Sequence, residues 1–229
     1  LDVPNSSDSR TIDESKFIAT IKNNIRKKPS SVVIGPGLGS RKGLYKIIED
    51  SLNYFDCPII LDADALNLIS KDFNVLDKYK NQIIITPHPG EMSKITGKSV
   101  SEIQANRIKI SSDVSRKIKC ISVLKGFRTI ISSNSGQIYI NGSGNEGMAT
   151  GGMGDALTGI IASFIGQGYS ELESTILGVY VLGKAGDSIA DVTSKRGILA
   201  SEIIKKLPKT IKLIEENSSI YSDLERIEN

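Results

Sequence analysis

Short apolar runs alternate along the chain with longer segments whose apolar residues recur every three to four positions. That is the pattern of strands feeding helices, and it predicts an α/β fold with a mostly parallel central sheet flanked by helices. Phe17, Ile18, Ile21 and Ile25 share one face of a helix predicted over 11–28. A strand over 31–34 runs straight into Gly35-Pro36-Gly37-Leu38-Gly39, and Leu44, Ile47, Ile48 and Leu52 predict a helix over 42–54. Further strands are predicted at 58–61, 82–85 and 121–124. They end respectively in Asp62-Ala63-Asp64, in Thr86-Pro87-His88-Pro89-Gly90-Glu91 and in Lys125-Gly126. Ser99 and Glu102 match a capping box opening a helix that carries Ile103, Ile110, Val114 and Ile118 as far as 119. The runs 129–133 and 137–140, joined through Asn134-Ser135-Gly136, predict an antiparallel β-hairpin. Helices follow over 155–165, 171–190 and 199–207, and the polar tail from 217 to 229 is expected to be peripheral or frayed. No repeat or linker divides the chain, so 1–229 reads as a single domain.

Composition narrows the function classes. With 229 residues, 39% hydrophobic and 24% charged, the chain is long enough to bury a sizeable core. No apolar run reaches the ~18 residues of a membrane span, and the first ten residues lack a signal-peptide pattern. The net charge of +3, without a basic block interleaved with aromatics, argues against a nucleic-acid partner. Cys57 and Cys120 lie in or beside apolar runs and read as buried thiols of a reducing, cytoplasmic compartment. A single histidine makes a zinc centre improbable, and no residue is assigned as a metal ligand.

The unusual residues all follow predicted strands. Ligands of open parallel sheets bind at the carboxyl ends of the strands, so these loops should converge on one site. The strongest element is Thr150-Gly151-Gly152-Met153-Gly154-Asp155, which opens an amphipathic helix. Its glycines allow close backbone approach, and the helix start favours a phosphate. A carboxylate beside a phosphate makes sense if Asp155 takes the proton of a hydroxyl attacking the terminal phosphoryl group; the alternative is a simple helix cap. Lys125 at a strand end can place a point charge on a nucleotide phosphate, or simply begin a solvated hairpin. The loop 35–39 resembles a phosphate-binding turn without matching a dinucleotide fingerprint or a Walker A loop, the alternative being a tight structural turn. His88 sits in a loop stiffened by two prolines, and Glu91 favours the start of a following short helix. Asp62 and Asp64 can hold Mg²⁺ through waters or, for Asp64, cap the next helix.

In order along the chain, Val-Ile-Gly-Pro-Gly-Leu-Gly (33–39), Leu-Asp-Ala-Asp-Ala-Leu (61–66), Thr-Pro-His-Pro-Gly-Glu (86–91), Leu-Lys-Gly (124–126), Gly-Gly-Met-Gly-Asp (151–155) and Leu-Ala-Ser-Glu (199–202) resemble the NAD(P)H-hydrate dehydratase family. The resemblance implies a ribokinase-like fold and a metabolite-repair reaction. In it, hydrated NADH or NADPH is phosphorylated on its added hydroxyl by ADP or ATP, with Mg²⁺, and phosphate is then lost to restore the ring double bond. It implies that Gly37, His88 and Asp155 contact the hydrated cofactor, with Asp155 the base. Lys125, Gly126, Phe127, Arg128, Thr129, Gly152 and Gly154 would line the nucleotide site. A homo-oligomer acting on small molecules, with neither nucleic acid nor membrane as partner, is the corresponding expectation.

Two departures from the family pattern stand out. Members usually begin with an earlier strand and a Gly/Ala-rich helix, so the chain is expected to be amino-terminally incomplete. Where members often carry a histidine in the later helix, this chain reads Val179-Tyr180-Val181-Leu182-Gly183, a change expected to affect packing rather than chemistry. The competing readings are a ribokinase-like kinase of a small vitamin-precursor alcohol, such as a hydroxyethylthiazole, and a nucleotide-binding module without turnover.

Overall fold

Strands of three or four residues build the sheet, and helices cover both its faces. In the computed structural model, residues 14–25, 27–39, 43–77, 79–216 and 224–227 are described. Helix α1 (Glu14–Asn24) precedes β1 (Val32–Ile34), α2 (Leu44–Tyr54), β2 (Ile59–Leu61), α3 (Asp64–Ile69), α4 (Asn74–Asp77) and β3 (Ile83–Ile85). Then come α5 (Pro89–Thr96), α6 (Val100–Ala105), α7 (Arg107–Ile118), β4 (Ile121–Leu124), β5 (Ile130–Ser132) and β6 (Ile138–Asn141). The chain continues through α8 (Met153–Gly166), α9 (Glu171–Ala190), α10 (Ala200–Glu216) and β7 (Leu224–Ile227). The strands lie side by side in chain order as one seven-stranded sheet. Pairing is parallel from β1 to β4 and antiparallel from β4 through β7.

The period-2 alternation of the strands sorts the core into two layers. Ile34, Ile59, Leu61, Ile83, Ile85, Leu124 and Ile130 join the layer formed with α1 to α7. Ile60, Ile84, Ile121, Val123 and Ile131 join the layer formed with α8, α9 and α10. A strand buried on both faces reads as a near-continuous apolar run, and the buried Ser122 and Ser132 within these strands are hydrogen-bonded through Ser111. The α/β class, with helices on both faces and an antiparallel hairpin, is the observed one. Among the described residues no helix is long and apolar enough to cross a membrane.

Several element boundaries differ from expectation, and the first helix, predicted to reach 28, ends at Asn24. The helix expected to run from the Ser99 cap to 119 is two helices broken at Asn106, whose backbone leaves the helical region (φ −132, ψ 36). Its side-chain amide donates to the Glu102 carbonyl at 3.1 Å, offering the backbone a local alternative to the next turn. Helix α10 continues through Pro208 to Glu216, because Ile203, Leu207, Ile211 and Ile214 keep one face against α8 and α9. The tail is not wholly frayed: Leu224–Ile227 forms an edge strand, pairing Tyr139 with Arg226. The ends of the first predicted helix at 11–13 and residue 42 of the second lie outside the described residues.

Candidate functional site

The alternation that buries Leu61 on one face turns the next residue, Asp62, to the other, toward the start of α8. Asp62 is buried, and its Oδ1 accepts from Lys125 Nζ at 2.7 Å. Lys125 also stands 3.8 Å from Glu91 Oε2, so one cation lies between two buried carboxylates at the ends of β2, β3 and β4. A methyl group added at Gly154 would come within 3.1 Å of Asp62 Oδ2 and 3.3 Å of Lys125 Nζ. The start of α8 is therefore seated directly on the pair. Lys125, expected to face a phosphate alone, is already partnered by Asp62, and that partnership was not foreseen from sequence.

The Gly35–Gly39 loop is tied to the same place from β1. A Cβ on Gly35 (φ 130) would overlap the Asp62 carbonyl oxygen, so only glycine lets the end of β1 approach so closely. Gly37 is exposed and its Cβ position is open, which leaves room for a ligand. Asp64 neither caps α3 nor joins the buried cluster. The cap position of α3 is Ala63, and the Asp64 carboxylate accepts from the Gly39 N–H at 2.8 Å, clasping the glycine loop. Ala63 itself holds φ 49, one of three non-glycine residues with positive φ among the described residues, and it sits between the two aspartates. Local strain of this kind persists only where the surroundings enforce it.

His88 has a double role that its sequence context did not disclose. It is the N-cap of α5, with Nδ1 accepting from the Gly90 and Glu91 N–H groups at 2.9 and 3.3 Å. Glu91 completes a capping box by accepting the His88 N–H at 2.7 Å. Because Nδ1 is an acceptor, the neutral ring carries its proton on Nε2, which lies 3.4 Å from Glu91 Oε1 on a half-exposed side chain. The imidazole is thus held at one nitrogen and presents the other.

At the start of α8 the N-cap is Gly152 (φ 84), which supplies no side-chain oxygen to the first turn. Asp155 is the third residue of the helix, exposed, and makes no capping bond. Asp155 as a helix cap is therefore not what the structure contains. The first turn of α8 thus starts without a side-chain cap, beside an accessible carboxylate. Beside it, a cleft of about 850 Å³ is lined by Gly147, Ala149 and Thr150 on one wall and by Lys195, Arg196 and Ile198 on the other.

After Lys125, Gly126 to Thr129 form a short loop closed by Thr129 Oγ1 donating to the Gly126 carbonyl at 2.9 Å. Phe127 projects from it 87% exposed, and Arg128 takes φ 52. Arg107, which the sequence did not single out, supports the loop from below by donating to the carbonyls of Leu124 (3.0 Å) and Lys125 (3.4 Å). Burial lowers its guanidinium below the usual arginine range, and its Nε is buried without a hydrogen-bond partner. Among the described residues no set of three or more His, Cys, Asp and Glu side chains gathers as a metal site. Mg²⁺ carried on a nucleotide needs fewer protein ligands, one or two carboxylates beside phosphate oxygens and water, and Asp62 and Glu91 suit that donor set.

Comparison with known proteins shows the family. The profile of the NAD(P)H-hydrate dehydratase family matches residues 7–209. The chain is 39% identical over 185 residues to a bifunctional NAD(P)H-hydrate repair enzyme of Moorella thermoacetica, covering 81% of this chain and 35% of that protein. It is 37% identical over 183 residues to an ADP-dependent (S)-NAD(P)H-hydrate dehydratase of Neisseria meningitidis, covering 78% and 62% respectively. Among solved structures, the ADP/ATP-dependent NAD(P)H-hydrate dehydratase of Bacillus subtilis, co-crystallised with ATP and Mg²⁺, superposes with a TM-score of 0.76 at 31% identity. The match covers 82% of this chain and 68% of that one. The chain thus spans about a third of the bifunctional relative and under two thirds of the Neisseria enzyme.

Proposed function

The chain belongs to the NAD(P)H-hydrate dehydratase family, and from that premise we propose that it repairs the S-form of hydrated NADH or NADPH at the expense of ADP or ATP. The observation that carries the reading is the seating of α8: an uncapped glycine turn and an accessible Asp155 stand against the Asp62–Lys125 pair. Two kinds of group then meet at one point, donors for phosphate oxygens and an acceptor for a hydroxyl proton.

In this mechanism Asp155 accepts the proton of the ring hydroxyl as its oxygen bonds to the terminal phosphorus of the nucleotide. The bond from that phosphorus to the departing nucleotide oxygen breaks in the same step. The carbon–oxygen bond to the new phosphate ester then breaks, with the ring nitrogen supplying electron density. Loss of a proton from the neighbouring ring carbon restores the double bond. Gly152 and Gly154 present backbone N–H groups to the transferred phosphoryl group, while Lys125 to Thr129 border the nucleotide. Gly37 leaves room for the nicotinamide ring, and His88 offers Nε2–H to it. Mg²⁺, when bound with the nucleotide, would supply positive charge to the phosphate oxygens, and Asp62 and Glu91 would be the carboxylates to hold it.

ADP is the donor to test first, since relatives from Neisseria meningitidis and Bacillus subtilis are named as ADP-dependent. The assay mixes the protein with hydrated NADH, Mg²⁺ and either ADP or ATP and follows the reduced-nicotinamide absorbance. Recovery that depends on nucleotide supports the reading, and the faster nucleotide names the donor. Asp155→Asn should abolish recovery, by about 10²-fold or more, while nucleotide affinity holds. A stable phosphorylated product in place of recovered NADH, or near-full turnover by Asp155→Asn, would refute it.

A further inference from the structure

The loop between β6 and the glycine turn is seated on α9 by a set of contacts that backbone connectivity does not require. Gly183 and Gly186 of α9 leave no side chain in the way. A Cβ on Gly183 would overlap Ser143 Oγ and stand 2.8 Å from Ser143 C, and one on Gly186 would overlap Met148 Sδ and stand 2.8 Å from Met148 Cγ. Into this track the loop makes polar contacts: Ser143 Oγ donates to the Tyr180 carbonyl at 3.0 Å. One helical step beyond Gly186, the Asp187 carboxylate accepts from the Gly144 N–H at 2.8 Å and from Asn145 Nδ2 at 2.9 Å. Asn145 in turn accepts from the Gly147 N–H at 3.0 Å, starting the 3₁₀ turn Glu146–Met148 that leads to Thr150.

The position of that carboxylate is the informative point. Asp187 lies in the last turn of α9, where the helix dipole presents its negative end and that turn itself carries no basic residue. A carboxylate there opposes helix stability. Its two acceptor bonds go to the loop, and that loop is one wall of the cleft beside the turn, facing Lys195 to Ile198. On the reading that the turn 150–154 binds the nucleotide, we propose that Asp187 is a positioning residue for the nucleotide. Through Gly144 and Asn145 it sets where the turn and the cleft wall stand. The Gly183–Gly186 track provides the seat, which also gives a specific packing role to the segment 179–183 in which this chain departs from its family's usual pattern.

The test compares Asp187→Ala and Asp187→Asn with Asp191→Asn, which removes a charge from the same helix end without touching the loop. The probes are Mg²⁺-ADP affinity by calorimetry and amide hydrogen exchange across the chain without ligand. Asp187→Ala should speed exchange of 144–150 by about tenfold, leave β1 to β4 unchanged, and weaken Mg²⁺-ADP by about tenfold or more, since small misplacement of binding groups is costly. Asp187→Asn, isosteric and still able to accept one bond, should fall between, and Asp191→Asn should stay within about twofold of wild type on both readouts. Mg²⁺-ADP affinity within twofold of wild type in both Asp187 variants would overturn the proposal. So would faster exchange throughout the sheet, which would mark general destabilisation. A wild-type chain that binds no Mg²⁺-ADP would instead overturn the parent reading of the turn, and the ligand-free exchange would still show whether Asp187 holds the loop.

Discussion

Replacing Gly35 by alanine, beside the same replacement at Gly37, separates two glycines that are two residues apart in one loop. At Gly35 the backbone sits at φ 130, a region that side chains scarcely enter, for a cost of about 1–3 kcal/mol. The added carbon would overlap the Asp62 carbonyl oxygen and lie 2.8 Å from its carbon and 3.0 Å from Ala65 Cβ. Carbon atoms pack at roughly 3.5–4.0 Å, so β1 and β2 must part at this end. Parting them strains the Asp62 N–H bond to the Ile34 carbonyl, now 3.1 Å, which contributes about 0.5–1.5 kcal/mol. Overpacking adds about 1–3 kcal/mol more. A loss of about 4 kcal/mol follows, or roughly 8–16 °C in Tm for a chain of this size. Gly37, at φ 66 with nothing within 4 Å of its Cβ position, should lose only about 1 kcal/mol. Equilibrium urea unfolding followed by far-ultraviolet circular dichroism measures both. If the two variants lay within about 1 kcal/mol of each other, the steric account of Gly35 would be wrong.

Lys125→Ala leaves Asp62 buried without its cation and should cost about 3 kcal/mol of stability as well as nucleotide affinity; adding Asp62→Asn should restore most of the stability in a double-mutant cycle but not the affinity. His88→Asn keeps a good N-cap and should unfold within about 0.5 kcal/mol of wild type, whereas His88→Ala should lose about 1 kcal/mol, both losing turnover; full activity in His88→Asn would remove the imidazole from the mechanism. Burial pushes the Cys120 thiol up to about 12 from 9.0 and Tyr79 up to about 12 from 10.0. Both folded values lie above the unfolded ones, so the neutral forms stabilise the fold fully below about pH 9, and that contribution is lost as pH rises toward 12. Stability measured across this window should fall, and a thiol reagent at mildly alkaline pH should titrate the cysteines only after urea is added; a flat alkaline profile with freely reactive thiols would contradict their burial.

Much of the fold was legible because the strands are buried on both faces and the helices carry apolar stripes, so periodicity and run length distinguish them. The motifs at 33–39, 61–66, 86–91 and 124–126 each end one of the parallel strands β1 to β4, which is why sequence order alone brings those loops to one rim of the sheet. What pattern could not disclose were partnerships set by tertiary geometry. Asp62 and Lys125 are 63 residues apart, and neither is unusual in its own neighbourhood. The cap at His88 depends on which ring nitrogen faces the α5 amides, and the clasp of Asp64 on Gly39 depends on loop conformation. The break at Asn106 lay hidden in an otherwise continuous apolar stripe, because one side-chain amide outweighs a helical turn only in a particular rotamer. Strand β7 escaped notice because Glu225 and Arg226 interrupt its apolar pattern at the sequence level.

The reversal of pairing after β4 has a consequence of parity. Each antiparallel step sends the chain to the opposite rim of the sheet, and two such steps, β5 and β6, return it to the rim it left at Lys125. An odd number of added strands would have delivered Thr150 to Asp155 to the wrong side of the molecule. The even count also leaves Asn134-Ser135-Gly136 as the sole part of that excursion on the far rim, with Ser135 and Gly136 partly or fully exposed. That turn is a place to lengthen the chain, with a label or an affinity tag, on the rim opposite the candidate site.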